Sequence, residues 1–561
     1  MSQFKLQPVL AVIVFLFCTP LLTYAQGHEL PVPPSTGDTF LNNAILGDTT
    51  ATGDRADLDR VYVLERDGVY LMNARVNNIG FPVRIRGAEG DGRKPVIFLV
   101  TNAQTQAFPP HFFLMGDDLW LKDLILVGFV EALAGQIANN PPRLIDSGAP
   151  GLSLTIDGCV VTQGRGEHIR FPQPAGVIKL INSIFGNMGD LGTSNLGAGR
   201  CIDMRNTSCD SLIIENSSFI NSQDRIVRHL SSVASIKYFR FNHNTIVNGL
   251  TYHGLISLGF TGNEAILTNN LFIDTNIAGG DTDRTRQVEF AESAELDPRN
   301  SQGRIVWILS VPNDSTQWTV SGNYYSVSPE VQAFYDAHAA EGVAGEGPPV
   351  THNINSKIGA DSTTAFIKEL VTLANRPAPQ VNMAEWYRRP DGGNKRKNTP
   401  CACWNRTTDD YQRKSFQYLA DTLDCSYATN LVAYTGADGV GQFPAGDLNW
   451  FPDKKEAWED FISSVEPTPG VVVKEFLLKQ NYPNPFNPTT TIEFHLVKSE
   501  RVTVTVYNAL GQVVATLVNN ERLDRGAYRV AFEGAKFSSG LYFYQIKAGS
   551  FSEVKKMMLL K

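Results

Sequence analysis

A twelve-residue unit occurs three times in the middle of the chain, and this repeat constrains the fold more than any other feature. The copies SLIIENSSFINS, YFRFNHNTIVNG and EAILTNNLFIDT begin at Ser211, Tyr238 and Glu264. In each copy two apolar residues, two positions apart, precede an Asn or His, and further apolar residues follow. A period of two predicts a strand with one face turned inward.

The Asn or His of the repeat returns after 27 and then 26 residues, at Asn216, His243 and Asn269. This period is too short for a strand–helix–strand unit and fits one coil of a solenoid. Stacked coils would place these residues above one another at a bend, where side-chain amides can form an asparagine ladder. His243 is therefore interpreted as a structural residue whose ring nitrogen replaces an amide, not as a general base.

The same bend position recurs outside the three copies, at Asp123, Gly158, Asn182 and Gly322. The last step, of 53 residues, is interpreted as about two coils, with RIVWIL from Arg304 as the missing strand. Longer steps are expected to carry the loops that line a binding groove, over 132–147, 186–210 and 278–302.

The pattern resembles the right-handed parallel β-helices of the pectate-lyase-like architecture. The predicted fold is all-β, with the solenoid over 26–328 and a short amphipathic segment at 39–45 covering its open end. Residues 329–465 are predicted to form a partly helical cap and wrap. Its helices are expected after Ser328, over 363–374 and from Asp453.

Three motifs occur in order near the end of the chain: NYPNPFNP from Asn481, YNALGQ from Tyr507 and SGLYFY from Ser539. Short alternating strands with Gly and Asn turns predict a small Ig-like β-sandwich over 476–561, after a linker at 466–475. The motifs resemble the type A C-terminal sorting domain of the type IX secretion system of Bacteroidetes-like bacteria. The resemblance implies an address for transport across the outer membrane, with the secretion machinery as partner.

Residues 1–25 have the pattern of a signal peptide. The apolar run over 9–17 is too short to span a bilayer, and the predicted peptide ends at a small residue, Ala25. No later stretch predicts a transmembrane helix, so the expected location is secreted or on the outer cell surface. The net charge of −8, without a long basic run, argues against nucleic acid as a partner.

Six cysteines follow the predicted signal, in a compartment that permits disulfides. The candidate pairs are Cys201 with Cys209, and Cys401 or Cys403 with Cys425. Cys159 lies in a predicted strand and is interpreted as a buried thiol.

The strongest candidate for chemistry is the segment DRIVRH, which follows the strand after Asn216. The β-helix resemblance implies an acidic polysaccharide as substrate, and arginine binds carboxylates in a bidentate fork. The candidate catalytic residues are Arg225, Arg228 and His229. The candidate substrate-binding residues are Asp224, Tyr252 and His253. In the alternative interpretation Asp224 pairs with an arginine and the segment only fixes a loop.

No cofactor is required by any motif, and Ca²⁺ is the one candidate, held by Asp281, Asp283 and Glu289. These acids lack the spacing of an EF-hand, and the neighbouring Arg284 and Arg286 could neutralise them instead.

Two function classes stay open. The first is a secreted β-helix that binds or cleaves an acidic polysaccharide. If it is an enzyme, the sequence favours a polysaccharide lyase acting by β-elimination over a glycoside hydrolase. The second is a non-catalytic, adhesive or structural surface solenoid. Whether the protein is an enzyme is left open by the sequence, because a β-helix alone does not establish catalysis.

Overall fold

The computed structural model describes residues 28–130, 141–189, 199–231, 233–250, 254–277, 280–281, 306–308, 316–341, 343–344, 364–391, 404–405, 410–411, 415–437, 442–463, 465–467, 476–497, 500–523, 526–549 and 551–561. The predicted signal peptide lies outside these residues.

Three long parallel sheets, with 10, 8 and 10 strands, form the larger part of the fold. Sheet 1 contains Glu29–Val32, Val61–Leu64, Val83–Gly87, Leu119–Lys122, Leu152–Asp157, Ala175–Ile181, Cys209–Glu215, Ile236–Asn242, Thr261–Thr268 and Gln317–Ser321. Sheet 2 contains Val76–Asn77, Phe113–Met115, Arg143–Ser147, Glu167–Arg170, Arg200–Arg205, Val227–His229, Ile256–Leu258 and Val306–Ile308. Sheet 3 contains Val69–Met72, Val96–Leu99, Ile125–Val127, Val160–Thr162, Ile184–Met188, Ser218–Ser222, Thr245–Gly249, Leu271–Ile273, Asn323–Ser326 and Phe366–Lys368.

The chain visits sheets 1, 3 and 2 in turn, so that each circuit is one coil of a parallel β-helix. The coil from Cys209 to His229, for example, supplies one strand to each sheet, and every strand pairs with its equivalents in the coils before and after. Inward-facing apolar side chains, such as Leu212, Ile214 and Phe219, are at most 1 % exposed. The predicted fold class is confirmed.

The bend between sheets 1 and 3 repeats one backbone conformation through seven coils. Its residues all have φ between 46° and 64°: Asp123, Gly158, Asn182, Asn216, His243, Asn269 and Gly322. We call this set the bend column. Left-handed φ values are tolerated by Gly, Asn, Asp and His far better than by branched residues, which explains the composition of the column. At Gly322 an added Cβ would also lie 2.0 Å from the carbonyl oxygen of Ala437.

The buried amide ladder lies one residue after the bend column, and not in the column itself as the sequence predicted. Nδ2 of Asn244 donates to Oδ1 of Asn270 over 3.1 Å, and Nδ2 of Asn270 donates to Oδ1 of Asn323 over 2.8 Å. In earlier coils the hydroxyls of Ser217 and Ser183 accept backbone N–H groups in the same way. The left-handed residue turns the next side chain inward, which places the ladder there.

A second ladder, which the sequence analysis did not predict, follows the strands of sheet 3. Asn221 donates to Asn187 and Asn248 donates to Asn221, each over 3.0 Å. These three residues also have positive φ, between 56° and 63°. In the coil that contains Asn244 and Asn248, side-chain amides therefore bond to the neighbouring coils at both positions.

Two predictions about coil count and loops were wrong. The backbone N–H of Asn269 donates to the carbonyl of Ser321 over 3.0 Å, so the 53-residue step is one coil with an insertion. Val306–Ile308 supplies that coil's strand in sheet 2. The segments predicted as loops over 132–147 and 186–210 contain the sheet 2 strands Arg143–Ser147 and Arg200–Arg205.

The described helices are Leu41–Leu46, Pro329–His338, Val381–Arg388 and Pro452–Ser463, with short helical turns at Ala339–Glu341, Ser415–Gln417, Tyr418–Thr422, Val432–Tyr434 and Leu448–Trp450. Three of these were expected from the sequence, and Ser328 caps its helix by accepting the N–H of Val331.

The helix predicted over 363–374 is wrong. Phe366–Lys368 is instead the last strand of sheet 3, and the Phe366 ring lies 6.0 Å from that of Phe272. It extends an interior stack of Phe185, Phe219, Phe241 and Phe272. Packing on this stack prevails over local helix propensity.

Residues 415–437 and 442–451 pack on the outer face of sheet 3. Leu419, Tyr427 and Ala433 are buried against outward apolar residues of that sheet, among them Val247 and Ile273. The remaining short pairings are Gly280–Asp281 with Val343–Ala344, Leu373–Asn375 with Asp424–Tyr427, and Trp404–Asn405 with Asp410–Tyr411.

The four cysteines that the structure describes are free and buried: Cys159, Cys201, Cys209 and Cys425. The predicted pairs that involve Cys201, Cys209 and Cys425 are therefore wrong. Cys201 and Cys209 lie on strands of different sheets, and the Cys209 thiol donates instead to the carbonyl of Ser211. Cys401 and Cys403 lie outside the described residues.

The C-terminal part is a sandwich of two antiparallel four-stranded sheets around a core of its own. One sheet contains Val465–Pro467, Leu477–Leu478, Thr489–Leu496 and Gly526–Glu533; the other contains Glu500–Asn508, Val513–Leu523, Gly540–Ala548 and Phe551–Leu559. Val465–Pro467 pairs with Gly526–Glu533, so the start of the predicted linker is a strand. Arg501 of the sandwich donates to Glu264 and Thr319 of sheet 1, over 3.0 and 2.8 Å.

Within the described ranges, no helix is long and apolar enough to cross a membrane.

Candidate functional site

Four successive strands of sheet 2 carry charged residues three positions apart, on either side of two buried residues. The segments are RLID, EHIR, RCID and RIVR, beginning at Arg143, Glu167, Arg200 and Arg225. The two flanking residues of a segment contact each other, as Nη1 of Arg200 and Oδ2 of Asp203 do over 2.6 Å, so both lie on the side away from the core residues between them. We call this outward set, with Arg205 and Asp224, the charged face of sheet 2.

Charges of opposite sign stand next to each other across the strands of this face. In one column Asp146, Arg170, Asp203 and Arg228 are successive partners. In the other, Arg143, Glu167 and Arg200 are successive partners. Opposite charges on neighbouring strands stabilise the pairing of a sheet.

Asp203 is the centre of the charged face, and its side chain is 0 % exposed. Its Oδ2 accepts hydrogen bonds from Nη1 of Arg200 over 2.6 Å and from Nη1 of Arg228 over 3.3 Å. Nε of Arg205 lies 3.6 Å from the same oxygen. A buried carboxylate in this position holds three guanidinium groups together.

Asp224 compensates the one place where the signs do not alternate. The Arg225 side chain is 2 % exposed, and the neighbouring coil places Arg200 beside it. The Asp224 carboxylate lies between the two, 3.5 Å from Nε of Arg200 and 3.7 Å from Nε of Arg225. The position of Asp224 beside two arginines therefore agrees with the alternative interpretation, in which Asp224 pairs with an arginine.

Arg228 and His229 differ in what they offer to a ligand. The Arg228 side chain is 12 % exposed, and burial lowers its pKa to about 10, so it remains charged at neutral pH. His229 is fully buried, and burial lowers its pKa to about 4. Its neutral ring donates from Nε2 to the carbonyl of Thr207 over 3.0 Å.

The charged face has more arginines than acids. Six arginines (143, 170, 200, 205, 225 and 228) stand against four carboxylates (146, 167, 203 and 224), which leaves two positive charges. Arg205 has 54 % of its side chain exposed, and Arg170 has no ion-pair partner in the described part of the chain. This local surplus lies on a chain whose net charge is −8.

The structure thus brings Asp224, Arg225, Arg228 and His229 together on one side of the solenoid. Tyr252, His253, Asp283 and Glu289 lie outside the described residues, and of Asp281 the backbone pairing with Val343 is described. Sequence reasoning missed Arg170, Arg200 and Asp203. The recurrence of charges three positions apart around two apolar residues was the signal that could have found them.

The stacked coils and the separate antiparallel sandwich define a parallel β-helix protein with an appended C-terminal β-domain. Residues 480–560 match the family described as the secretion system C-terminal sorting domain. The chain therefore carries a type IX sorting domain, which directs secretion to the cell surface or extracellular space and implies contact with the type IX machinery. Neither the comparison with curated proteins nor the one with solved structures gave a match.

Proposed function

We propose that this exported β-helix protein binds an acidic polysaccharide on the charged face of sheet 2. The observation that carries the proposal is the surplus of two positive charges there, against a net charge of −8 for the chain. Arginines recur on alternate strands of this face, as Arg170 and Arg228 do in one column, and a polymer with regularly spaced carboxylates can meet them.

Three arginines are placed to reach a ligand. Arg205 and Arg170 are the more exposed, and Arg228 has its guanidinium held by Asp203. A guanidinium can bind a carboxylate with two parallel N–H groups, and a fixed guanidinium loses less conformational freedom when it does so. Asp203 thus orients Arg228 for binding.

The geometry favours binding over cleavage by a lyase. Proton abstraction needs a base within hydrogen-bond reach of the substrate, with a pKa near the working pH. His229 is buried, has a pKa of about 4 and donates to a backbone carbonyl. Arg225 is almost fully enclosed. Glycoside hydrolysis is also disfavoured, because Asp203 and Asp224 are both engaged by arginines and a hydrolase needs one protonated acid.

A second candidate function is a non-catalytic structural or adhesive solenoid. The burial of Asp203 favours it, since its ion pairs with Arg200 and with Arg228 of the next coil hold neighbouring coils together without any ligand. The two candidates differ in the role of the exposed arginines, which only a glycan-binding protein needs.

The test uses the full exported chain and measures retardation in native gels that contain polygalacturonate, alginate or neutral dextran. Arg170→Gln with Arg205→Gln should weaken binding to the acidic polymers by about 1–2 kcal/mol, or roughly fivefold to thirtyfold, for two partly exposed contacts. Arg86→Gln, on sheet 1, is the matched control and should change little. Ultraviolet absorbance of unsaturated products is followed in parallel to detect cleavage.

Equal retardation by the double variant and the control, or retardation by none of the acidic polymers, would contradict the proposal. Release of unsaturated products would show lyase activity, with a general base other than Arg225 and His229.

A further inference from the structure

A cavity of about 380 Å³ lies on the outer face of sheet 1, away from the charged face of sheet 2. It is centred on Trp120, whose neighbours across the strands are Arg84 on one side and Thr155 on the other. All three side chains are outward and half-buried. Trp120 thus offers an aromatic ring on the outer face of the sheet, between two polar neighbours.

The rest of the lining is polar on one side and apolar on the other. Asp118 is exposed, and its Oδ1 accepts the N–H of Ser153 over 2.7 Å, while its Oδ2 makes no hydrogen bond within the described residues. Arg84 is fixed by the carbonyl of Leu58, over 2.9 Å, and lies 3.5 Å from Asp59. Val61 and Pro82 complete the wall.

The Trp120 indole N–H has no hydrogen-bond partner within the described residues. A half-buried tryptophan usually finds one, because the apolar ring and the polar N–H have opposite preferences. The cavity therefore presents four kinds of group at one place: an aromatic face, an N–H donor, a carboxylate acceptor and a guanidinium held in position.

We propose that this cavity binds one ring of a neutral sugar within a glycan, stacked on Trp120. A sugar ring has an apolar C–H face and an edge of hydroxyls that both donate and accept. The C–H face matches the indole ring, while Asp118 accepts from hydroxyls and Arg84 and the indole N–H donate to them. Pockets of this size bind ligands by such a combination of apolar surface and a few placed polar groups.

Other ligand classes fit the lining less well. An anion would meet the carboxylate of Asp118, and the charge of Arg84 is already shared with Asp59. A purely apolar ligand would remove water from Asp118, Arg84 and the hydroxyl of Ser153 without replacing its hydrogen bonds. The inference does not depend on the proposed function, because the two sites lie on different sheets and use different residues.

The test is native affinity electrophoresis of the full chain in gels that contain hydroxyethyl cellulose, glucomannan or polygalacturonate. A neutral polymer should retard the wild type, and Trp120→Ala should weaken that retardation at least tenfold. Trp120→Phe keeps a stacking face and should retain part of the affinity. Ile213→Ala is the matched control, since Ile213 is an outward residue of the same column outside the cavity.

Melting temperatures of the three variants separate binding from folding, and the Phe variant keeps the test valid if the Ala variant unfolds. The inference would be overturned if neither neutral polymer retarded the wild type. It would also be overturned if the wild type, Trp120→Phe and Trp120→Ala were all retarded equally. Loss of polygalacturonate binding in the Arg170 and Arg205 double variant, with neutral binding intact, bears on the proposed function alone.

Discussion

Asn244 is bonded twice to the same atom of Asn270: its backbone N–H donates to Oδ1 over 2.9 Å, and its side-chain Nδ2 donates to the same oxygen over 3.1 Å. Asn244 in turn accepts the N–H of Ser217 on its own Oδ1 over 3.1 Å. Both residues are 0 % exposed. The ladder therefore satisfies buried backbone groups that the tight bend leaves without partners in the sheet.

Replacing Asn244 with Ala should lower the free energy of unfolding by about 2–4 kcal/mol, because buried donors and acceptors lose their partners. Asn182→Gly is the matched control. Asn182 is a half-buried member of the bend column, and Gly accepts its φ of 52°, so the expected change is within about 1 kcal/mol, with only its hydrogen bond to Asp157 lost. Denaturant unfolding measures the free energy of unfolding of both variants. Equal losses would contradict a special role of the buried amide ladder in stability.

Asp203→Asn should destabilise the solenoid by roughly 2–4 kcal/mol, because Arg200 and Arg228 keep their charges but lose a buried carboxylate. The control is Asp210→Asn, whose pair with Lys237 is more than half exposed on both sides and should contribute at most about 0.5 kcal/mol. Thermal melting at neutral pH compares them. A neutral effect of Asp203→Asn would show that the charged face is dispensable for folding.

Asp447 makes the protein's stability sensitive to pH. Burial raises its pKa from 3.8 to about 6, although its Oδ2 accepts from the Ser218 hydroxyl over 2.7 Å. Because the folded-state pKa lies above the unfolded one, the stabilising contribution is complete below the unfolded pKa and is lost as pH rises through the folded pKa. Between about pH 5 and pH 7.5 the wild type should lose about 1–2 kcal/mol relative to Asp447→Asn.

Denaturant unfolding of both proteins across that range measures the difference, and other titrating groups cancel because the two chains share them. A difference that does not change with pH, or that changes in the opposite direction, would show that Asp447 does not retain its proton in the folded state.

Deletion of residues 476–561 should leave the β-helix folded but retained in the periplasm, because the sandwich has its own hydrophobic core. Val465–Pro467 loses its partner strand in this deletion, but it pairs with the sandwich and not with the three parallel sheets. Fractionation and immunoblotting, with circular dichroism of the retained protein, give the outcome. Normal amounts of the truncated protein at the cell surface would contradict the assignment of the address to this segment.

The sequence predicts the solenoid well because its repeat is local. The alternation around Asn216, His243 and Asn269 fixes the strand faces, and the positive φ of these residues follows from their types. It does not reveal which residue after the bend turns inward, so the ladder of Asn244 and Asn270 was placed one position too early. The sequence also does not show that Phe366 completes the interior stack, because its partner Phe272 lies far away along the chain.

The candidate site is predictable in part. The segment that contains Asp224 and Arg228 stands out in the sequence by its charges, but its partners Arg200 and Asp203 belong to the preceding coil. Their proximity depends on the register in sheet 2, which is set by the whole intervening coil with its strands Cys209–Glu215 and Ser218–Ser222. The Trp120 cavity could not be predicted either, because its lining residues come from four successive strands of sheet 1.

The regular bend column makes the length of this solenoid a quantity that changes in discrete steps. Each complete coil adds one strand spacing of about 4.8 Å and carries its own bend and ladder residues. Loss of residues 217–243, for example, would join Asn216 directly to Asn244 and leave both positions correctly occupied. Duplication or loss of whole coils is therefore a route by which such a chain can lengthen or shorten its surface in evolution without inventing a new core.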